Sequence, residues 1–249
     1  MSIELRDVHK AFGSNEVLRG FSIMAEEGET LVVMGQSGSG KSVMLKHIVG
    51  LLVPDRGTVW VDGAEVNRLE RKRLFELRGN VGYVFQFAAL FDSMTIAENV
   101  GMGLRRIQGT TTDQIRERVA ECLALVDLEG FESRLPAELS GGQQKRAGIA
   151  RAIATRPKYL LYDEPTSGLD PVTKAVIDRL ILRMRHLVGV TGLVITHDVE
   201  SAYRVGDRIA MLHEGSCRFV GTPDEVRGTD DPVVKGFMEG RPELMEVAS

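Results

Sequence analysis

Two stretches and one strand end carry residues whose types and spacing could do chemistry on a phosphate. Gly35-Gln36-Ser37-Gly38-Ser39-Gly40-Lys41-Ser42 fits G-x-x-x-x-G-K-[ST], preceded by the apolar "TLVVM" and followed by the helical "VMLKHIVGLL". The glycines let successive backbone N–H groups turn inward around the β- and γ-phosphates, and the following helix adds its positive end. Lys41 can reach the β/γ oxygens as a point charge, and the Ser42 hydroxyl can ligate Mg²⁺. In "YLLYDEP", Asp163 ends an apolar strand and can hold the same ion, directly or through a water. Glu164 follows at the mouth of the site, where a carboxylate can orient a water and accept its proton during in-line attack on the γ-phosphorus. "VITHD" supplies His197, whose imidazole can accept from that water or donate to a γ-phosphate oxygen.

A second glycine-rich helix start, "SGGQQKRAGIARAIATRP", comes about a hundred residues later. Ser140, Gly141 and Gly142 would present free N–H groups and a positive dipole end on a helix that runs to Arg156, before Pro157. Such an end wants an anion, although the first loop already surrounds the phosphates.

The elements that must position these residues are those of an α/β chain. Short apolar or alternating runs read as strands: "IELRDV", "TLVVMG", "GTVWVDG", "VGYVFQ", "YLLYD" and "GLVITHD". Those around Val32, Leu161 and Val194 are apolar without alternation, which suits parallel strands covered on both faces. Helical spacing places Ile115, Val119, Leu123 and Val126 on one face, with Thr112 or Asp113 to cap the start, and Ile177, Ile181, Met184 and Val188 on another. The pattern is an α/β core, residues 1–87 and 157–225, interrupted by helices over 88–156 and followed by a short helix and tail over 226–249.

The 249 residues, 43% hydrophobic and 27% charged, suit a soluble globular protein with a sizeable core. A net charge of −4 gives no electrostatic footprint for nucleic acid. The basic run Arg68 to Arg78 contains Glu70 and Glu76 and reads as a solvated helix face. Cys122 and Cys217 have no metal-ligand spacing and read as small structural residues in a reducing compartment. With no apolar leader and no run of about 18 apolar residues, the chain is expected to reach a membrane only through other subunits.

In conjunction these motifs resemble the nucleotide-binding subunit of an ATP-binding cassette (ABC) transporter along nearly the whole chain. They come in the family's order: Phe12 before the first glycine turn, the P-loop, Gln86 in "VGYVFQ", "LSGGQ" (Leu139 to Gln143), "YLLYDEP", "SGLD" (Ser167 to Asp170) and His197. The resemblance implies a RecA-like P-loop core with an N-terminal antiparallel β subdomain and an inserted helical subdomain, and ATP hydrolysis with Mg²⁺. It implies that Phe12 stacks on adenine and that Gln86 touches Mg²⁺ and the attacking water from a mobile loop. It implies too that Asp170 organises the opposite site of a homodimer. Because family members pair head to tail, Ser140, Gly141, Gly142 and Gln143 would clamp the nucleotide held by the partner copy, which gives the second glycine-rich helix its anion. Coupled multi-span permease subunits would turn closing and opening of the dimer into alternating conformations.

The segment "FAALFDSMTIAENVGMGLR" and the tail "DDPVVKGFMEGRPE" are similar to those of the Mla-type ATPases that drive MCE-associated lipid transport in Gram-negative bacteria. That implies phospholipid as cargo, an MCE-domain substrate-binding protein as partner, a small regulatory subunit, and a place on the cytoplasmic face of the inner membrane. Two positions depart from the pattern: Gln143 stands where many such ATPases have Met, and the tail lacks a second Gly-Pro step. Transport of another solute, a soluble ABC ATPase of the iron-sulfur assembly kind, and a cassette that binds ATP without turnover stay open. Repair and ribosomal members need insertions or a tandem cassette that this length does not hold, and the presence of both Glu164 and His197 speaks against the last.

Overall fold

Val32, Leu161 and Val194, read as the centres of covered strands, are all buried in one six-stranded sheet of the computed structural model, which describes residues 2–246. In chain order the first elements are β1 (Ser2–Phe12), β2 (Asn15–Glu26), β3 (Thr30–Met34), α1 (Lys41–Ile48), β4 (Arg56–Val61), β5 (Ala64–Glu65), α2 (Arg71–Gly79) and β6 (Val81–Val84). Next come α3 (Ile96–Gly101), α4 (Thr112–Leu125), α5 (Gly141–Ile153), β7 (Tyr159–Asp163), α6 (Pro171–Arg183), β8 (Thr191–Thr196) and α7 (Val199–Val205). The last are β9 (Arg208–His213), β10 (Ser216–Gly221), α8 (Pro223–Gly228), α9 (Pro232–Glu239) and α10 (Pro242–Glu246). The fold combines a mixed sheet, an antiparallel sheet and helices, the architecture that the resemblance implies.

The larger sheet runs β10-β9-β3-β8-β7-β6; β9 through β6 are parallel and β10 pairs antiparallel on the edge. Alternate side chains of its strands enter two separate cores, as a period of two requires. Val32, Met34, Leu160, Tyr162 and Val194 face α3 to α6. Leu31, Val33, Leu161, Leu193 and Ile195 face Met44, Leu45 and Ile48 of α1 and the buried side of the antiparallel sheet β2-β1-β4-β5. A strand buried on both faces favours apolar residues at successive positions, and β3, β7 and β8 are buried throughout, with polar residues confined to their ends: Thr30, Asp163, Thr191 and Thr196.

Local chemistry moves several expected boundaries. Helix α4 is capped by Thr111, not Thr112 or Asp113, because Gln114 closes a reciprocal capping box with it. Helix α5 stops at Ile153 rather than Arg156, since the Arg118 guanidinium donates to the carbonyls of Ile153 and Ala154 and Arg156 turns to φ 53. Helix α6 passes into one π turn at Met184–Val188. None of α2's residues is fully buried, in keeping with a solvated face. Strands β2, β5, β9 and β10 have no counterpart in the sequence reading. The tail is three short helices, each with Pro in its first turn; Val233 and Val234 of α9 are buried, while residues 247–249 of the expected tail lie outside the described residues. Among the described residues no helix is long and apolar enough to cross a membrane. Cys122 is buried and Cys217 half-buried, both as free thiols.

Candidate nucleotide site

The carboxyl ends of β3, β6, β7 and β8 lie side by side in the sheet, and each hands the chain to a loop bearing one of the expected polar groups. That is where open α/β sheets bind ligands. After β3 comes the loop 35–40, after β7 Asp163 and Glu164, after β8 His197, and two residues past β6 Gln86. A cleft of about 390 Å³ at this edge is lined by Phe12, Ser37, Gly38, Gly40, Lys41, Ser42, Gln86, Glu164 and His197, together with Val17, Val43 and Ser167. A hollow of about 350 Å³ beside it takes in Gln36 and Ser39. The loop needs glycine where it crosses β2: Gly40 has φ 103, and a Cβ there would lie 2.6 Å from Val17 Cγ1.

The charged groups are held in a closed set. Lys41 Nζ donates to the carbonyls of Gly35 at 2.7 Å and Gln36 at 2.9 Å and sits 3.8 Å from Glu164 Oε1. Its ammonium thus folds back on its own loop. Burial pulls its pKa below the usual lysine range, against the pull of Glu164 and Asp163. Ser42 Oγ donates to Asp163 Oδ1 at 2.9 Å, and the Tyr83 hydroxyl donates to Oδ2 at 2.9 Å. His197 Nδ1 lies 2.8 Å from Glu164 Oε2. Glu164 itself has φ 48, a left-handed conformation that a non-glycine residue holds only where its surroundings enforce it. Its N–H donates to the Ile195 carbonyl and its carbonyl accepts from Ser167 N–H.

These residues fit a phosphate ester and a hard cation. Ser39 Oγ, in the loop 35–40, is buried without a hydrogen-bond partner. Ser42, Asp163 and Gln86 offer oxygen donors of the kind Mg²⁺ takes, with substrate phosphates and waters completing its shell.

The second glycine-rich helix start is elsewhere. Ser140, Gly141, Gly142 and Gln143 do not line the cleft, and neither does Asp170. Ser140 caps α5 through a capping box in which its own N–H donates to Gln143 Oε1 at 2.8 Å. The expected free N–H set is therefore smaller by one, and Gly141 and Gly142 hold the open first turn. Asp170 caps α6, accepting from Val172 and Thr173 N–H groups, and is exposed.

The sequence profile of the ABC transporter family matches residues 18–167. The chain is 40% identical over 241 residues to the probable ribonucleotide transport ATP-binding protein mkl of Mycobacterium tuberculosis, covering 97% of this chain and 67% of that one. It is 41% identical over 256 residues to the chloroplastic protein trigalactosyldiacylglycerol 3 of Arabidopsis thaliana, covering 96% and 73%. A dimeric ATP-binding cassette in a post-hydrolysis state, bound to ADP and Pi, superimposes with a TM-score of 0.81 at 35% identity, covering 89% of this chain and 98% of that one. This chain belongs to the ABC transporter family.

As an ABC cassette it is an ATPase that binds ATP, and such cassettes dimerise and work with membrane permease subunits. Two groups that touch the site had no signal in the sequence. Tyr83 is one of the half-buried positions of β6, and only the pairing of β6 with β7 brings it to Asp163. Lys145 follows "SGGQQ" like any solvated helical lysine, yet it is 7% exposed and its Nζ reaches the carbonyls of Glu164 at 3.4 Å and Ser167 at 3.2 Å.

Proposed function

We propose that this cassette powers the movement of phospholipid between membranes, together with a multi-span permease and an MCE-domain substrate-binding protein, from the cytoplasmic face of the inner membrane. The observation that carries the reading is the form of the loop after Gln86, where the chain is similar to the Mla-type ATPases. Ala88 and Ala89 both have positive φ, 57 and 49, and Arg151 donates to both their carbonyls, at 2.7 and 2.6 Å. Asn99 of "AENV" is fully buried and closes the loop: its side chain accepts from Phe91 N–H and donates to the carbonyls of Phe91, Met94 and Thr95. The small pair and the Asn thus hold one rigid shape, which leaves Phe87 83% exposed. A fixed loop that ends in a bare aromatic suits a docking surface for a permease. The name of the Arabidopsis relative points to a glycolipid, in keeping with lipid cargo, while the mycobacterial relative's name points to ribonucleotides and supports the alternative of another solute.

In this reading residues 88–156 move as a lobe hinged beside Gln86. Phe12 stacks on adenine, the loop 35–42 cradles the phosphates, and Ser42, Asp163 and Gln86 hold Mg²⁺, which when bound neutralises charge on the phosphate oxygens. Glu164 accepts the proton of the attacking water. His197, already paired with Glu164, holds that carboxylate toward the γ-phosphate position. Ser140 to Gln143 and Asp170 complete the partner's site, which keeps them out of their own cleft.

The test is affinity purification of the tagged chain from detergent-solubilised membranes, followed by reconstitution into liposomes. A permease and an MCE-domain protein should come with it, and ATP should drive transfer of labelled phospholipid. Transfer of a ribonucleotide or another small solute instead would move the cargo to the alternative. Recovery without any multi-span protein would favour a soluble ABC ATPase.

A further inference from the structure

Helix α5 has two features of chemical interest about one turn apart, its exposed start and Lys145. Ser140 and Gly141 are exposed at its start, away from the chain's own cleft. Lys145, four residues beyond Gly141 and hence on the same helix face, points inward and is buried. An ammonium taken out of water normally sits on a carboxylate. Here its hydrogen-bond partners among the described residues are two carbonyls, those of Glu164 and Ser167, at the two ends of the tight turn that carries the Glu164 carboxylate. The same turn holds the strained φ of Glu164 and, through Ser167 Oγ, a hydrogen bond from Gln86 Nε2 at 3.5 Å. A neutral side chain of equal length could fill the space without desolvating a charge, so burial alone does not explain a lysine.

We propose that Lys145 is a positioning residue that ties α5, one turn in from its start, to the Glu164–Ser167 turn, so that the grip of α5 on the partner's nucleotide sets the aim of Glu164 at the chain's own nucleotide. The two sites of a dimer would be linked through this ammonium. When α5 shifts with its lobe, the carbonyls of residues 164 and 167 are pulled with it, and the carboxylate moves relative to the loop 35–42. The inference rests on the reading of Glu164 as the proton acceptor and of α5 as the partner's clamp.

The experiment uses the full chain, with Lys145→Met and Lys145→Arg measured beside Glu164→Gln for ATP turnover, KM and thermal unfolding. Lys145→Met should lower kcat by about tenfold or more with KM within about threefold, because binding is intact and only the aim of the base is lost. Lys145→Arg should recover most of kcat, since it restores a donor cation to the same carbonyls. In the Glu164→Gln background Lys145→Met should still form the ATP-dependent dimer. A kcat within twofold of the native chain for Lys145→Met would overturn the proposal, as would a loss of kcat that tracks a fall in Tm shared by both Lys145 variants. Normal turnover of Glu164→Gln would instead overturn the reading on which it rests.

Discussion

Glu164 combines a left-handed backbone, a carboxylate 12% exposed and contacts to both His197 and Lys41. Such strain at a reactive group persists only if the neighbours enforce it, and the neighbours here are the loop 35–42, β8 and α5. Glu164→Gln keeps the shape and removes the basicity. Turnover should fall by about a hundred- to ten-thousandfold while ATP still promotes a dimer, read by phosphate release and light scattering. Lys41→Ala acts on a different step. It removes the buried cation of the phosphate loop, so nucleotide affinity should fall together with turnover in a titration with a fluorescent ATP analogue; an unchanged affinity would refute the cradle role. The identities of these groups were legible because adjacent residues at strand ends announce themselves. Tyr83 and Lys145 were not, because their parts depend on which strand pairs with β7 and which face of α5 turns inward, facts of three-dimensional packing that no local period encodes.

At the scale of elements, the short helices rest on side chains that cap their ends. Thr95 starts α3 with a reciprocal box: its N–H donates to Glu98 Oε2 at 2.8 Å, and its hydroxyl accepts from Glu98 N–H. That backbone hydrogen bond, with help from the Thr95 hydroxyl, holds the Glu98 pKa below the usual glutamate range. The folded pKa lies under the unfolded one, so the stabilisation is present above the ordinary glutamate range and fades as pH falls through it. Glu98→Gln should therefore unfold at lower temperature than the native chain near neutral pH, and the gap should narrow in thermal scans as pH falls below the ordinary glutamate range. One residue on, Asn99→Ala strands the part-buried N–H of Phe91 and three carbonyls, and should cost about 1–3 kcal/mol in denaturant unfolding. The parallel strands were readable as uninterrupted apolar runs. Strand β2 alternates in burial from Phe21 to Glu26, but Gly20 and the exposed Met24 break the matching hydropathy pattern, and the bulges in its pairing with β1 interrupt it further.

Across the whole molecule, the first turn of α5 does not line the cleft, so one chain does not bring the proposed clamp to its own site. The phosphate loop has its own helix end in α1, and Ser140, Gly141 and Gly142 form a second one aimed elsewhere. The structure lines its cleft with only one of its two glycine-rich helix starts, and in the proposed head-to-tail pair the other would meet the partner's nucleotide. Ser140→Arg places a bulky cation at the exposed start of α5 and opens the capping box, but alters nothing that lines the cleft. In the Glu164→Gln chain, which should hold ATP without consuming it, Ser140→Arg should abolish the ATP-dependent dimer seen by light scattering. The same variant should bind nucleotide as a monomer within about threefold of the parent, because the P-loop, Phe12 and Asp163 are untouched. If monomer binding collapsed along with the dimer, α5 would have to act on its own chain's nucleotide, and the division of labour between the two glycine-rich starts would be wrong.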